Sequence, residues 1–503
     1  MKAIPVLLSG DVERFRAKVA GRLGLRFEDD RLPFLGEVLA ARLRATGCAD
    51  ADEYLASHIQ APREAGELAR LLSVVETYFL RNREQFNAFQ DLIAGRARTG
   101  VRHLRVLSAG CSSGEEPYSI AMVVRENLPE FARWDVSITA IDVNLESLER
   151  ARGGRYRSWS LRETPEDVQR RYWKTAGDEF VLDPAVRAMV RFEARNLVDA
   201  DPQFWRLEAF DIVFCRNVLM YFTPDAARAV VGQFSRSLAP GGHLFLGHAE
   251  TLRGLSGDFH LCHTHGTFYY QKRQAAENRA TDSVMASAGP SEARVVPAPL
   301  DASWFQAIAD SSARIHELAK DNENRSRSPA KAVAAPVPAT VALKHAADLW
   351  KSERFHDALC ALAGPAPTDA DSLLLRAMLH LSSGDVASAK QACTSLLEVD
   401  DLNAGAHYVK ALCHEHGGNR DAAAEHDRAA AYLDADFAMP RLHLGLMARR
   451  AGQREAAGRE LRIARALLAR EDTARIVLFG GGFGREQLVA LCDAELAVLE
   501  GGR

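Results

Sequence analysis

The sequence carries no strong excess of charge of either sign. Its 63 Lys and Arg residues nearly balance 67 Asp and Glu residues, which leaves a formal net charge of -4. Because binding to nucleic acid or to a membrane surface depends on an excess of basic groups, this balance argues against either role for the whole chain. If the protein binds a partner through charge, it must therefore do so with a local cluster of charged residues.

Long apolar runs and paired cysteines are also missing. No stretch reaches the roughly 18 apolar residues of a membrane-spanning helix, and the opening segment MKAIPVLLSGDVERF has no small-residue cleavage site. The eight cysteines are scattered singly without a CxxC pair, which argues against a disulfide framework or a structural zinc site. These absences predict a cytoplasmic protein that does not insert into membranes and binds no metal.

The 503 residues exceed what one hydrophobic core holds, so the chain is expected to divide into several units. Residues 1–95 show apolar residues at helical spacing and predict a small all-helical domain. Residues 96–275 alternate apolar runs with amphipathic stretches, which predicts β/α units that build a mostly parallel sheet. Residues 276–340 are rich in Ala, Pro and Ser and predict a flexible linker.

Residues 341–503 repeat with a fixed period. Gly384, Gly418 and Gly452 are each 34 residues apart, and a series of alanines keeps the same step: Ala389, Ala423 and Ala457. A 34-residue period is the signature of tetratricopeptide helix pairs, in which small residues let the helices approach and glycine makes the turn. The pattern predicts an all-helical solenoid that binds another protein.

One glycine-rich motif carries the first sign of chemistry. In VLSAGCSSGEEPYS, Gly110 and Gly114 lie between a predicted strand and a predicted helix, where glycine lets the backbone approach a ligand. Ser113 and Glu116 have the spacing of a capping box for that helix. Such a turn also serves dinucleotides and ordinary tight loops, so the motif alone leaves the ligand open.

Acidic residues around this turn indicate which ligand it binds. Asp142 ends the next predicted strand, where a carboxylate accepts hydrogen bonds from a ribose diol. Glu115 and Glu116 lie beside the turn, and their charge disfavours the pyrophosphate of a dinucleotide. The same charge favours S-adenosylmethionine, whose sulfonium and ammonium outweigh its single carboxylate.

A later segment, FDIVFCRNVLMYFTP, completes the pattern. Asp211 opens its strand, Arg216 and Asn217 follow the strand's end, and Thr223 is predicted to cap the next helix. The order of elements is that of a class I methyltransferase. The fold class is therefore α/β: an N-terminal all-α domain, a Rossmann-like methyltransferase domain and a C-terminal all-α solenoid.

Several motifs together resemble the chemotaxis receptor glutamate methyltransferases, the CheR type, over roughly residues 10–273. They are TYFLR at 77–81, AGCSSGEEPYSIAM at 109–122, AIDVNLESLERAR at 140–152, NL at 196–197, FCRNVLMYF at 214–222 and LAPGGHLFLGHAE at 238–250. The resemblance implies donor contacts from residues at eight matching positions: Thr77, Arg81, Glu115, Asp142, Asn196, Leu197, Arg216 and Asn217. With Gly110, these form the predicted cofactor site, and the resemblance places Tyr221 near the transferring methyl group.

The resemblance implies methyl transfer from S-adenosylmethionine to glutamate side chains of a methyl-accepting chemotaxis-type receptor. A glutamate carboxylate is already ionised at pH 7, so the reaction needs no strong general base. Tyr221, Arg216 and Arg81 are the predicted catalytic residues, which orient and partly desolvate the carboxylate. The alternative is a catalytically silent scaffold that binds the donor as a sensor and signals through its repeats.

Three further features bear on partners and metals. Basic residues near the chain start form either a solvated face or a docking surface for an acidic receptor helix: Arg14, Arg16, Lys18, Arg22 and Arg26. Residues 173–192 resemble the family's small β-subdomain but are short, which predicts that a receptor's peptide tether is not held there. His260, Cys262, His263 and His265 alternate between the faces of a predicted strand and are not expected to converge on a metal.

Overall fold

The structure, a computed structural model, describes residues 7–59, 61–73, 76–274, 345–346, 349, 354–362, 369–481 and 483–501. The chain divides into two compact units, residues 1–278 and residues 279–503. The predicted linker, residues 276–340, lies outside the described residues. The bounds of the four predicted segments therefore stay predictions, while the three-part fold class is confirmed.

The first unit opens with four helices: α1 (Ser9–Leu23), α2 (Leu32–Thr46), α3 (Ala51–Glu53) and α4 (Pro62–Leu72), with a π-helical turn at Tyr54–His58 after α3. Their apolar faces form one core around Phe15, Leu39 and Leu68. Within this core Glu64 accepts two hydrogen bonds from Arg42, both at 2.7 Å, and one from Tyr54 at 2.6 Å. The charge of the buried carboxylate is thus matched by the guanidinium.

The next helix, α5 (Arg83–Arg98), packs against the sheet that follows it. Phe86, Phe89 and Ile93 on this helix belong to the same buried cluster as Val106 and Phe214 on the central strands. Phe89 meets Phe214 edge to face, with ring centroids 5.3 Å apart. Helix α5 therefore covers one face of the sheet.

Ten strands and five more helices complete the first unit. The strands are β1 (His103–Ala109), β2 (Asp135–Asp142), β3 (Arg155–Tyr156), β4 (Trp173–Ala176), β5 (Glu179–Leu182), β6 (Val190–Ala194), β7 (Phe210–Cys215), β8 (Leu238–Leu246), β9 (Phe259–Thr264) and β10 (Thr267–Lys272). The helices are α6 (Glu115–Asn127), α7 (Leu145–Gly153), α8 (Glu166–Tyr172), α9 (Pro184–Arg187) and α10 (Pro224–Ser237).

Seven of these strands form one sheet in the order β6-β2-β1-β7-β8-β10-β9. The first five strands are parallel to one another, whereas β10 pairs with both β8 and β9 in antiparallel fashion. Every residue of β7 is buried, as expected for a central parallel strand covered on both faces. The strand order reverses at β1, so the carboxyl ends of β1, β2 and β7 surround the cleft where α/β proteins bind ligands.

A separate three-stranded antiparallel sheet has the order β3-β5-β4. The predicted β-subdomain, residues 173–192, contains β4 and β5, but its end runs into β6 of the large sheet. The third strand of the small sheet, Arg155–Tyr156, precedes the predicted region. With only two residues in that strand, the sequence offered no alternation from which to predict it.

The described part of the second unit forms helices: α11 (Phe355–Ala361), α12 (Ala370–Ser382), α13 (Val386–Val399), α14 (Ala404–His416), α15 (Arg420–Leu433), α16 (Ala438–Arg450), α17 (Arg454–Leu468), α18 (Thr473–Phe479) and α19 (Arg485–Gly501). The predicted 34-residue period is confirmed. Gly384, Gly418 and Gly452 all adopt left-handed backbone conformations at the turns, with φ of 80°, 75° and 73°. The three periodic alanines are fully buried where paired helices meet: Ala389, Ala423 and Ala457.

A buried ionic cluster joins three of these helices. His443 on α16 lies 2.6 Å from a carboxylate oxygen of Asp427 on α15 and 2.8 Å from one of Glu415 on α14. Arg450 also pairs with Glu415. Burial opposes protonation of His443, but the two carboxylates outweigh it and raise the pKa of His443 to about 10.

The His and Cys residues that were not expected to converge on a metal lie in and beside one strand. His260, Cys262 and His263 lie on β9, and His265 lies in the turn that leads to β10. Across the ranges given above, no group of three or more His, Cys, Asp and Glu side chains is arranged to hold a metal ion. No helix in those ranges is long and apolar enough to cross a membrane.

Candidate active site

A cavity of about 390 Å³ lies at the carboxyl ends of β1, β2 and β7. Three parts of the first unit close it: residues 23–31 from the end of α1 onward, residues 69–73 and 76–86 around the end of α4, and the loops that follow the strands. Eight of the predicted cofactor or catalytic residues line it together: Thr77, Arg81, Gly110, Asp142, Asn196, Leu197, Arg216 and Asn217. Tyr221 lines the cavity as well, and Glu115 does not.

The turn after β1 brings the backbone to the cavity wall. Gly110 has a φ of 77°, and a Cβ there would lie 2.5 Å from Cγ2 of Val218. The N–H groups of Gly110 and Cys111 both donate to the carbonyl of Ile141, at 2.8 and 3.0 Å. Only glycine satisfies both the positive φ and the close approach, so the predicted role of Gly110 in the turn has a direct physical basis.

The predicted capping box is wrong. Helix α6 begins at Glu115 with Gly114 as its N-cap, and no side chain caps it. Ser113 instead donates from Oγ to a carboxylate oxygen of Glu115 at 2.7 Å. The positive φ of Gly114, 94°, turns the chain one residue later than the serine pattern indicated.

The two neighbouring acids point to different places. Glu115 is buried and accepts a second hydrogen bond, at 3.0 Å, from Ser160. Glu116 lines the cavity and accepts a 2.7 Å hydrogen bond from Ser108 on β1. Sequence reasoning gave the donor contact to Glu115, but the geometry brings Glu116 to the cavity.

Asp142 is held in place by two backbone N–H groups, one from the turn after β1 and one from the loop after β2. One carboxylate oxygen accepts from the N–H of Ser112 and the other from the N–H of Asn144, both at 2.8 Å. Burial raises the pKa of Asp142, while these N–H groups oppose the rise. Each oxygen keeps a second lone pair, so the carboxylate can still accept from a diol.

Arg216 is buried and largely committed to internal partners. One terminal nitrogen pairs with Glu116 at 3.3 Å, and the other donates to Asn82 Oδ1 at 2.7 Å and to the carbonyl of Arg81. Burial lowers the pKa of Arg216, and Glu116 opposes that change. The side chain thus joins the loop before α5 to the end of β7, and Nε is its one nitrogen with no hydrogen-bond partner.

The remaining predicted residues lie around the cavity rim. Asn196 donates from Nδ2 to the carbonyl of Arg22 at 2.8 Å, which ties the loop after β6 to helix α1. Arg81 donates to the carbonyl of Glu76 at 3.0 Å. Tyr221 is 37% exposed, so its side chain is accessible from outside the cavity.

Residues 24–26 pair with residues 221–223 beside the cavity. The N–H of Arg26 donates to the carbonyl of Tyr221 at 2.8 Å, and the N–H of Thr223 donates to that of Gly24 at 2.7 Å. Leu25 and Phe222 form an antiparallel bridge between them. The N-terminal helices are therefore attached directly to the loop that carries Tyr221, a contact that no local pattern in the sequence signalled.

Three polar atoms in residues that line the cavity are buried without a hydrogen-bond partner: Ser112 Oγ, Asn217 Oδ1 and Arg216 Nε. Buried polar atoms normally have partners, so such a cluster is expected where a polar ligand completes the site. With the Asp142 carboxylate and the open approach at Gly110, the residues present fit the ribose and the amino-acid portion of S-adenosylmethionine.

The basic residues near the chain start are engaged in ion pairs. Arg14 pairs with Asp11 and Asp52, Arg16 pairs with Glu13 and Asp29, and the partners of Arg22 and Arg26 are Asp199 and Glu28. Most of this positive charge is thus matched locally. The geometry favours the solvated face over the docking surface.

Comparison with known proteins agrees with this geometry. Residues 75–268 match the model of the CheR methyltransferase, SAM binding domain. The chain is 32% identical over 265 residues to chemotaxis protein methyltransferase 2 of Vibrio cholerae, covering 51% of this chain and 90% of that protein. It is 34% identical over 251 residues to the chemotaxis protein methyltransferase of Escherichia coli, covering 48% and 84%.

A third relative carries a different description. The probable biofilm formation methyltransferase WspC of Pseudomonas aeruginosa is 34% identical over 242 residues, covering 47% of this chain and 56% of that protein.

Proposed function

Since the chain belongs to the family of chemotaxis protein methyltransferases, whose methyl donor is S-adenosylmethionine, we propose that it methylates glutamate side chains of a methyl-accepting chemotaxis-type receptor. The product is a glutamate methyl ester. The observation that carries the proposal is the cavity at the carboxyl ends of β1, β2 and β7, where three buried polar atoms have no partner.

The donor is held by residues on the inner wall of the cavity. Asp142 accepts from the ribose hydroxyls, and the loop at Gly110 leaves room for the ligand against the backbone. Glu116, one of the two acids that the sequence placed beside the turn, supplies negative charge to a ligand that is net cationic, whereas the family resemblance had implied a contact from Glu115. The bound donor supplies an electrophilic methyl group, so the protein's work is to position the acceptor.

The acceptor carboxylate is oriented from the outer side. Tyr221 is exposed enough to meet it, and the neighbouring Met220 is 52% exposed. Arg81 supplies a guanidinium at the same rim. Arg216 is buried with its terminal nitrogens engaged, so it contributes its positive charge and not a hydrogen bond to the acceptor. These groups orient the carboxylate and replace part of its hydration shell, and its charged state at pH 7 makes a general base unnecessary.

The repeats are proposed to bind a second protein. Stacked helix pairs present an extended surface for peptides or helices, and their confirmed 34-residue period gives this chain three regular pairs. We place the protein in the cytoplasm, where the methylated regions of such receptors lie. The relative WspC is described as a probable biofilm formation methyltransferase. The receptor that this protein methylates therefore controls either motility or another response.

Labelled S-adenosylmethionine tests the proposal. The protein is incubated with labelled donor and a lysate, and the labelled protein is identified. Label on a receptor that is released as methanol by base supports a carboxyl methyl ester. Donor binding without turnover on any receptor fragment would instead favour the silent scaffold.

A further inference from the structure

Glu250 does not line the cavity, but it contacts the loop that follows β7. It is buried and follows β8 by a few residues. Its carboxylate accepts four backbone hydrogen bonds: from Asn217 at 2.7 Å, Val218 at 2.8 Å, Met220 at 3.2 Å and Gly247 at 2.6 Å. Three of these donors belong to the segment between Arg216 and Tyr221, which we name the acceptor loop.

The acceptor loop needs such an anchor. Asn217 has a φ of 59°, in the left-handed region that few non-glycine residues adopt and that asparagine adopts more readily than most. The loop continues through a single 3-10 turn, Leu219–Tyr221, whose few internal bonds hold it weakly. Both Asn217 Oδ1 and Tyr221 depend on this backbone for their position at the cavity.

We infer that Glu250 is a positioning residue for methyl transfer, which holds the acceptor loop so that Asn217 and Tyr221 face the bound substrates. The inference rests on the proposed function for the role of those two residues. Only a carboxylate suits the position, since it offers acceptor lone pairs on both oxygens and no donor. Gly247 is matched to it, because a Cβ there would lie 2.7 Å from both Glu250 Oε2 and Asn217 Nδ2.

Glu250→Gln tests the inference, because it keeps the shape of the side chain and replaces one acceptor oxygen by an amide NH₂. That group faces two of the N–H donors, so two hydrogen bonds are lost and the loop moves. We expect a kcat at saturating donor more than about tenfold lower, with donor affinity also weakened, in full-length protein at a temperature where it is folded.

Asp211→Asn is the matched control. Asp211 is a buried carboxylate at the start of β7, bound by Arg96 and Arg105, whereas the acceptor loop leaves the other end of that strand. The control is expected to lower the melting temperature and to keep the wild-type kcat. The inference is overturned if Glu250→Gln lowers only the melting temperature, with kcat and donor affinity within about twofold of wild type.

Two further measurements separate the remaining outcomes. If the Gln variant does not fold, Glu250→Asp is used in its place. This variant keeps the charge but moves the carboxylate away from its N–H donors by the length of one methylene. A wild-type kcat in the Asp variant also overturns the inference. If the wild-type protein methylates no receptor fragment, the proposed function fails, and the donor affinities of the Glu250 and Asp211 variants, measured by calorimetry, still decide whether Glu250 shapes the site.

Discussion

At the scale of single residues, the site shows how far side-chain identity predicts position. Asp142 and Asn217 line the cavity as the motifs indicated. Both lie at or just after the carboxyl end of a parallel strand, and these ends meet at the same edge of the sheet. Which of Glu115 and Glu116 lines the cavity could not be predicted in the same way. It depends on which residue begins helix α6, and Gly114 shifts that start by one position.

Asp142→Ala is expected to weaken donor binding by roughly 1 to 3 kcal/mol, the cost of losing charge-assisted hydrogen bonds to the ribose. Calorimetry measures the change. Asp135→Ala, at the exposed opposite end of the same strand, serves as the control and should bind the donor normally. Unchanged affinity in the Asp142 variant would remove this residue from the site.

Tyr221→Phe separates chemistry from binding. If the hydroxyl acts on the acceptor carboxylate, its removal should lower kcat by about tenfold or more while changing donor affinity little, since only interactions that strengthen in the transition state raise the rate. Initial-rate kinetics and calorimetry on the same variant give both quantities. Equal losses would show that the ring acts through packing.

At the scale of elements, periodicity predicted whole helices and strands but missed short ones. The repeat helices follow their 34-residue period, because each glycine turn and each buried alanine is a local requirement of the pair. One strand of the small sheet escaped prediction, because β3 contributes only two residues, Arg155 and Tyr156, and pairs with a strand that comes later in the chain. Pairing at such a distance leaves no local signal.

The cluster of His443, Asp427 and Glu415 predicts a pH dependence for the repeat unit. A histidine whose folded pKa is raised contributes stability that is complete below its unfolded value, near 6.5, and is lost as the pH rises through about 10. Burial also raises the pKa of Asp427, to about 6, so that residue adds no stability at alkaline pH. The melting temperature of the repeat unit should therefore fall by about 5 °C or more between pH 6.5 and pH 10.

Thermal unfolding followed by circular dichroism checks this, with His443→Gln as the variant that removes the titrating group. The variant is expected to melt lower at pH 6.5 and to depend less on pH over this range. The exposed His416 gives a matched control, and His416→Gln should keep the wild-type profile. A melting temperature that rises toward pH 10 would contradict the assignment.

At the scale of the whole molecule, the two units are expected to be separable. A chain that ends at Arg273 retains the whole cavity lining and the large sheet. It should bind the donor with wild-type affinity and methylate a concentrated receptor fragment, and it should lose efficiency at low receptor concentration, because the repeats no longer raise the effective concentration. An unfolded product, or one that cannot bind the donor, would show that the repeats belong to the catalytic core.

The hydrogen bond between Asn196 and Arg22 joins residues 174 positions apart, at the wall of the donor cavity. Closing a loop of that length is slow compared with forming a local helix pair, because the chain loses conformational entropy before the contact rewards it. In refolding, circular dichroism should therefore recover before donor binding does. On the ribosome, the first unit becomes able to bind S-adenosylmethionine only after residues 221–223 have left the exit tunnel and paired with residues 24–26, which are synthesised much earlier.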